Sequence, residues 1–268
     1  MSRSTIKQNI TILSNTEQRR QKATLSREIP FEIRLRAGRT LRTVANTTRT
    51  PGHDYELAAG LLLAEGFIHS RRDFSHMTYC MDQRALQEYN LLTVVLHSRQ
   101  MPQPPQPEKI IVDGISCGVS SQSLLEALEQ RALPPLPDGP LIGVDALLRM
   151  AHEVAGDPQS ATAALFTSNA SLRARRHDVH APNALDKLLG WGLLNDHLPF
   201  HHSVLWLSER PTFALLQRCA VAGIPLLCAA APPTSLAISI ASRHNITLLH
   251  AAGDQIAVYS GETRLRDP

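Results

Sequence analysis

From residue 141 onward the sequence alternates between two kinds of segment, and this alternation constrains the fold more than any other feature. Five short apolar runs, "ATAALFT", "SVLWLS", "IPLLCAA", "ITLLHA" and "QIAVYS", have the length of strands and are bounded by polar residues, glycine or proline. Around them, residues 144–155, 182–194, 211–221 and 234–243 carry apolar side chains at helical spacing. Strands interleaved with helices can bury both kinds of apolar face only by layering, so the second half reads as an α/β sandwich. No internal repeat interrupts it.

The first half has a different grain. "IPFEIRLRA" sets Ile29, Phe31, Ile33 and Leu35 on one side of a half-buried strand, and "TLRTVA" returns as a second strand. "TRTPGHDYELAAGLLLAEGFI" reads as turn, helix and stop: Pro51 and Gly52 break the chain, Asp54 can accept from the first free N–H groups, and Gly66 ends the helix. The leucines of that helix read as core. "LLTVVLH" is a further strand, and "IIV" (110–112) leads into a glycine-flanked cysteine. Ser123 and Glu126 have capping-box spacing and start a helix over "SQSLLEALEQRA". The proline-rich "LPPLPDGP" is the best candidate boundary. The expected organisation is a flexible tail (1–25), an N-terminal domain (26–133), a linker (134–140) and an α/β domain (141–268). The whole is α/β within an α+β plan.

Composition narrows the function classes. The chain has 268 residues, 43% hydrophobic and 19% charged, with a formal net charge of only +3, so neither a nucleic-acid nor a membrane partner is indicated. No apolar run reaches spanning length and no signal-peptide core is present, which reads as cytoplasmic. The sharpest basic run, Arg173 to His177, reads first as a solvated turn and second as an anion contact. "HLPFHH" offers His197, His201 and His202 but no acid or thiol at metal-ligand spacing. Gly-x-Ser-x-Gly and phosphate-loop patterns are absent.

The chemistry centres on "DGISCGVSS". Gly114 and Gly118 leave Cys117 sterically open, and the nearby helix start would favour its thiolate, the form that carries sulfur covalently. The alternative is a buried structural thiol, which is also how Cys80, Cys219 and Cys228 read. Widely spaced cysteines without a C-x-x-C pair fit reduced thiols. Asp186 and Lys187 are either a phosphate contact or a solvated helix face. Ser208 and Arg210, at a strand-to-helix turn, are either ligand contacts or a helix cap.

Several of these stretches, in order, resemble the formate dehydrogenase accessory sulfurtransferases, the FdhD/NarQ family. "TPGHDYELAAGLLLAEGFI" is similar to the family's T-P-x-D-x-x-x-L-A-x-G-F-L-x-x-E-G-I block, and "SCGVSS" stands where the family has C-G-x-C-G. "HDVHAPNALDKLLG" resembles E-D-V-G-R-H-N-A-[VL]-D-K-x-[IL]-G, and "LSERPTFALLQRCAVAGIPLL" the block that follows. The resemblance implies a cytidine-deaminase-like layered fold without the zinc chemistry, and no H-x-E with P-C-x-x-C occurs here. It also implies a homodimeric sulfur carrier. Cys117, at the family's first loop cysteine, would take a persulfide from a cysteine desulfurase. It would pass the sulfur to the molybdenum bis-pterin guanine dinucleotide cofactor of formate dehydrogenase.

Carried over residue by residue, the resemblance assigns cofactor contact to Asp178, Asn183, Asp186, Lys187, Ser208 and Arg210. The C-terminal segment adds Ala251, Ala252, Gly253, Asp254 and Gln255. The departures cluster. Ser120 replaces the second loop cysteine, and His180, Ala181 and Pro182 replace glycine, arginine and histidine. Ala214 replaces an acid. These losses open a competing expectation: a non-catalytic chaperone or adaptor for a molybdoenzyme that has given up sulfur transfer.

Overall fold

The computed structural model describes residues 4–80, 89–103, 110–112, 115–117, 125–126, 128–139, 141–154 and 160–266, with backbone alone at 110–112 and 115–117. The expected capping box at Ser123 lies outside these residues. The chain opens on an antiparallel hairpin, β1 (Thr5–Leu13) and β2 (Gln18–Ser26), and not on the flexible tail read from the sequence. Ile6, Ile10 and Ile12 alternate with polar residues along β1, the period-2 signal that the surrounding charge obscured.

The first main sheet takes β3 (Ile29–Ala37), β4 (Thr40–Arg49), β5 (Phe74–Tyr79), β6 (Leu91–Leu96), β7 (Ile110–Val112) and β8 (Ile115–Cys117), in the spatial order β5-β6-β3-β4-β7-β8. Phe31, Ile33 and Leu35 of β3 face the core with Val44 of β4 and Leu92 and Val94 of β6. Helix α1 (Asp54–Glu65) covers that face through Leu57, Leu61 and Leu62, and Gly66 ends it at φ 81°, donating to the Leu62 and Leu63 carbonyls.

The second sheet runs β11-β10-β12-β13-β14-β15. Its strands are β10 (Ala161–Thr167), β11 (Leu172–Asp178), β12 (Ser203–Leu207), β13 (Leu226–Ala229), β14 (Thr247–Ala252) and β15 (Gln255–Ser260). A two-residue pair joins β9 (Ile142–Gly143) to β16 (Leu265–Arg266). Strands β12, β13 and β14 are mutually parallel, β10 and β15 run antiparallel to them, and the edge strand β11, antiparallel to β10, runs in the same direction as the central three. Both faces are buried, which is why the central runs are continuously apolar. Leu165, Leu205, Leu227 and Leu248 pack on α3 (Ala181–Leu194), α4 (Phe213–Ala222) and α5 (Ser235–Arg243). Phe166, Val204, Trp206 and Leu249 pack on α2 (Val144–Val154).

Strand β11 corrects the reading of residues 173–177 as a solvated turn. Arg173, Arg175, Arg176 and His177 belong to an edge strand, where one row of backbone groups is unpaired and charged side chains are common. The layers are joined where α1 crosses α3. Gly60 and Gly190 face each other there: a methyl group at Gly60 would collide with the Asp186 carbonyl, and one at Gly190 with the Glu56 carbonyl. Glycine at both positions lets two helix backbones touch.

Candidate functional site

The carboxyl ends of β12, β13 and β14 form one edge of the second sheet, because Leu207, Ala229 and His250 are level across it. The antiparallel β10 and β15 start at this edge and β11 ends at it: Ala163 is level with Leu207, Ala161 with Asp178, and Gln255 with Ala252. Ser208 and Arg210 therefore follow β12 there, Ala251 and Ala252 end β14 there, and Asp178 ends β11 there. Four strand spacings separate β11 from β14, roughly 19 Å. In open α/β sheets this is the edge at which ligands bind.

Along it, the exposed groups differ from the buried ones. Ser208 Oγ accepts from the Thr162 amide (2.8 Å), and Thr162 Oγ1 is 2.9 Å from His177 Nδ1. Arg210 is exposed and donates to the Pro232 carbonyl (2.6 Å). Ala252, Gly253, Asp254 and Gln255 form an exposed turn, with Gly253 at φ 66°. Thr162 has no signal in the sequence, and His177 enters there only as the end of the basic run that begins at Arg173.

Asp178, Asn183 and Lys187 are buried and consumed by one another. Lys187 Nζ lies 2.7 Å from Asp178 Oδ2 and donates to the carbonyls of Thr50 (2.8 Å) and His177 (3.3 Å), which uses all three of its N–H groups. Asp178 also accepts from the amides of Thr50 (3.2 Å) and His180 (3.1 Å). Asn183 Nδ2 reaches the Thr48 carbonyl at 2.8 Å. This network ties β11 and the start of α3 to the end of β4, across the two sheets. Asp186 points elsewhere, into a two-point ion pair with Arg218 (2.7 and 2.9 Å). Asp186 and Lys187 are both fully buried, so neither lies on a solvated helix face.

The geometry is matched by what the chain resembles. Residues 26–266 match the FdhD/NarQ family. The chain is 36% identical over 256 residues to the sulfur carrier protein FdhD of Mycobacterium tuberculosis, covering 90% of this chain and 91% of that one. The FdhD protein of Nocardia farcinica is 34% identical, with 98% and 96% covered. The crystal structure of a protein described as a formate dehydrogenase accessory protein, from Desulfotalea psychrophila, superposes with a TM-score of 0.74 at 21% identity, covering 98% of this chain and all of that one. The chain belongs to the FdhD/NarQ family.

In this FdhD/NarQ chain the cysteines fall into distinct environments. Cys117 ends β8, opposite Ile110 of β7; its side chain lies outside the described residues. Cys219 and Cys228 are buried, and burial pushes both thiols up to about 12, which leaves them protonated and inert. Cys80 is exposed, contrary to its reading as a structural thiol. It follows β5, at the opposite edge of the first sheet from β8, five strand spacings or roughly 24 Å away. Among the described residues no group of three or more His, Cys, Asp or Glu side chains is placed to hold a metal ion, and no helix is long and apolar enough to cross a membrane.

Proposed function

We propose that this chain is a sulfur carrier for formate dehydrogenase maturation that works through a single thiol, Cys117. The observation that carries the reading is family membership over residues 26–266 with a cysteine retained at the first cysteine position of the loop. Loading is thiol exchange. The Cys117 thiolate attacks the terminal sulfur of a cysteine desulfurase persulfide, the old S–S bond breaks, and the desulfurase leaves as its thiolate. No net oxidation occurs.

Delivery has a different balance. Releasing the outer sulfur as sulfide consumes two electrons: one persulfide and two thiols give the Cys117 thiol, sulfide and one disulfide. With Ser120 in place of the second loop cysteine, Cys80 across the sheet and the other two thiols buried, those electrons come from an external thiol. The substrate end is the molybdenum bis-pterin guanine dinucleotide cofactor. In this reading it lies along the strand edge, with Ser208, Arg210 and the turn at Ala251, Ala252, Gly253, Asp254 and Gln255 in contact. Asp178, Asn183, Asp186 and Lys187 hold that edge rigid from behind. Arg210 supplies a guanidinium suited to a phosphate. The carrier acts as a cytoplasmic homodimer.

Intact-protein mass spectrometry after incubation with a cysteine desulfurase and cysteine tests this. The expected result is a gain of one sulfur in the wild type and none in Cys117→Ser. If the wild type gains nothing while an FdhD protein with both loop cysteines does, the carrier reading fails. The loss of the second cysteine would then mark a chaperone or adaptor for the same client.

A further inference from the structure

A cleft of about 560 Å³ opens at the start of α1, lined by none of the residues assigned to the strand edge. Its size is that of a small-molecule site. One wall is aromatic: Tyr79 stacks on Tyr55 (5.4 Å between centroids) and meets Tyr89 edge-on (5.1 Å). Tyr89 remains 47% exposed and lines the cleft. Its backbone sits at φ 67°, which a bulky side chain rarely adopts, and His53 on the same cleft sits at φ 59°. Two of the molecule's left-handed non-glycine residues thus border one cavity, and such strain concentrates at ligand sites.

The floor is polar. Arg49 is buried and forms a two-point pair with Asp54 (Nε to Oδ1 3.0 Å, Nη2 to Oδ2 2.8 Å). Asp54 also accepts from the Tyr79 hydroxyl (3.0 Å) and the Gly52 amide (3.3 Å), so its charge is fully answered. Arg49 Nη1 is different: it is buried and has no hydrogen-bond partner among the described residues. A buried donor without an acceptor is rare in native structures. Helix α1 begins at this cleft without a side-chain cap on His53, and Arg27 stands exposed at the rim. The cleft therefore presents surplus donors and positive charge beside an aromatic corner formed by Tyr79 and the edge-on Tyr89.

We propose that this cleft binds a small flat-ring anion, one aromatic ring carrying a carboxylate or phosphate. The ring lies against Tyr79 and Tyr89, and the anionic group meets Arg27, the start of α1 and the unpaired Arg49 donor. Nothing in this assignment depends on Cys117, so it stands or falls apart from sulfur carriage.

The test is equilibrium binding to the full chain by ligand-observed NMR and calorimetry, with benzoate and phenyl phosphate as probes. Cyclohexanecarboxylate removes the flat ring, benzamide removes the charge, and inorganic phosphate removes the ring altogether. Benzoate and phenyl phosphate are expected to bind, and each control to bind at least about tenfold more weakly. Tyr89→Ala should cost about tenfold and Tyr89→Phe almost nothing; Arg27→Ala should weaken both aromatic anions while leaving benzamide unchanged. Binding that ignores ring flatness, ignores charge or survives Tyr89→Ala intact overturns the proposal, as does the absence of binding. Arg49→Lys probes the floor directly. Should that variant fail to fold, the two rim variants still decide the matter.

Discussion

The crossing of α1 and α3 and the edge at the ends of β12 to β14 draw on neighbouring blocks of sequence, yet they use polar residues in opposite ways. At the crossing, Asp178, Asn183, Asp186 and Lys187 are buried and spend their hydrogen bonds on each other, on Arg218 and on backbone groups. At the edge, Arg210 and the turn at Ala252–Gln255 are exposed. Burial turns a charged residue into a structural part, because an unpaired charge there is costly and a paired one has nothing left to offer a ligand. The difference separates residues that hold the candidate site in place from residues free to meet a ligand there.

The largest effect should come from Lys187→Ala, which strands Asp178 in the interior. The expected loss is about 3–5 kcal/mol, read by urea unfolding. If stability is unchanged, the buried network is not what joins the sheets. Gly190→Ala should come next, at about 3 kcal/mol, since the added methyl meets the Glu56 backbone and neither helix can yield without moving a sheet.

A smaller, pH-dependent effect concerns the thiol buried beside the crossing, Cys219, and its counterpart Cys228. Both are raised from 9.0 to about 12 by burial, so the folded state keeps its protons after the unfolded chain has lost them. Their contribution to stability is whole below pH 9 and is lost as the pH climbs towards 12. Replacing both with alanine should flatten the alkaline limb of the stability curve, and the same two thiols should resist labelling at pH 8 while Cys80 reacts. The smallest change in stability belongs to the edge. Arg210→Ala should move unfolding by less than about 0.5 kcal/mol, because the hydrogen bond it makes among the described residues, to the Pro232 carbonyl, is exposed. It should nonetheless lower sulfur delivery to the client enzyme, and equal delivery would remove Arg210 from the site.

Much of the second sheet could be read in advance, since strands buried on both faces are written as unbroken apolar runs. Phe213–Ala222 and Ser235–Arg243 fall within two residues of the expected helices. Leu172–Asp178 was missed because an edge strand needs apolar residues on one side at most, and this one carries four basic side chains. The hairpin of Thr5–Leu13 and Gln18–Ser26 was missed for a related reason: few of its side chains are even half-buried, so its alternation is faint. Asp54 was expected to cap its helix but pairs with Arg49, and Glu56 pairs with Arg176 (2.5 and 2.8 Å). Arg176 lies 120 residues from Glu56, and a partner that distant leaves no trace in local spacing. Family blocks pointed to candidate residues without saying which of them face outward, because burial follows from the packing of both halves together.

Gly60 and Gly190 lie more than a hundred residues apart in the chain. A nascent polypeptide therefore completes α1 long before α3 leaves the ribosome, and during that interval the outer face of α1 has no lid. Contacts this remote slow folding and leave apolar surface open to wrong partners. Only when residues 181–194 have emerged can α1 lose that exposure, so the order of synthesis fixes which helix must wait for the other.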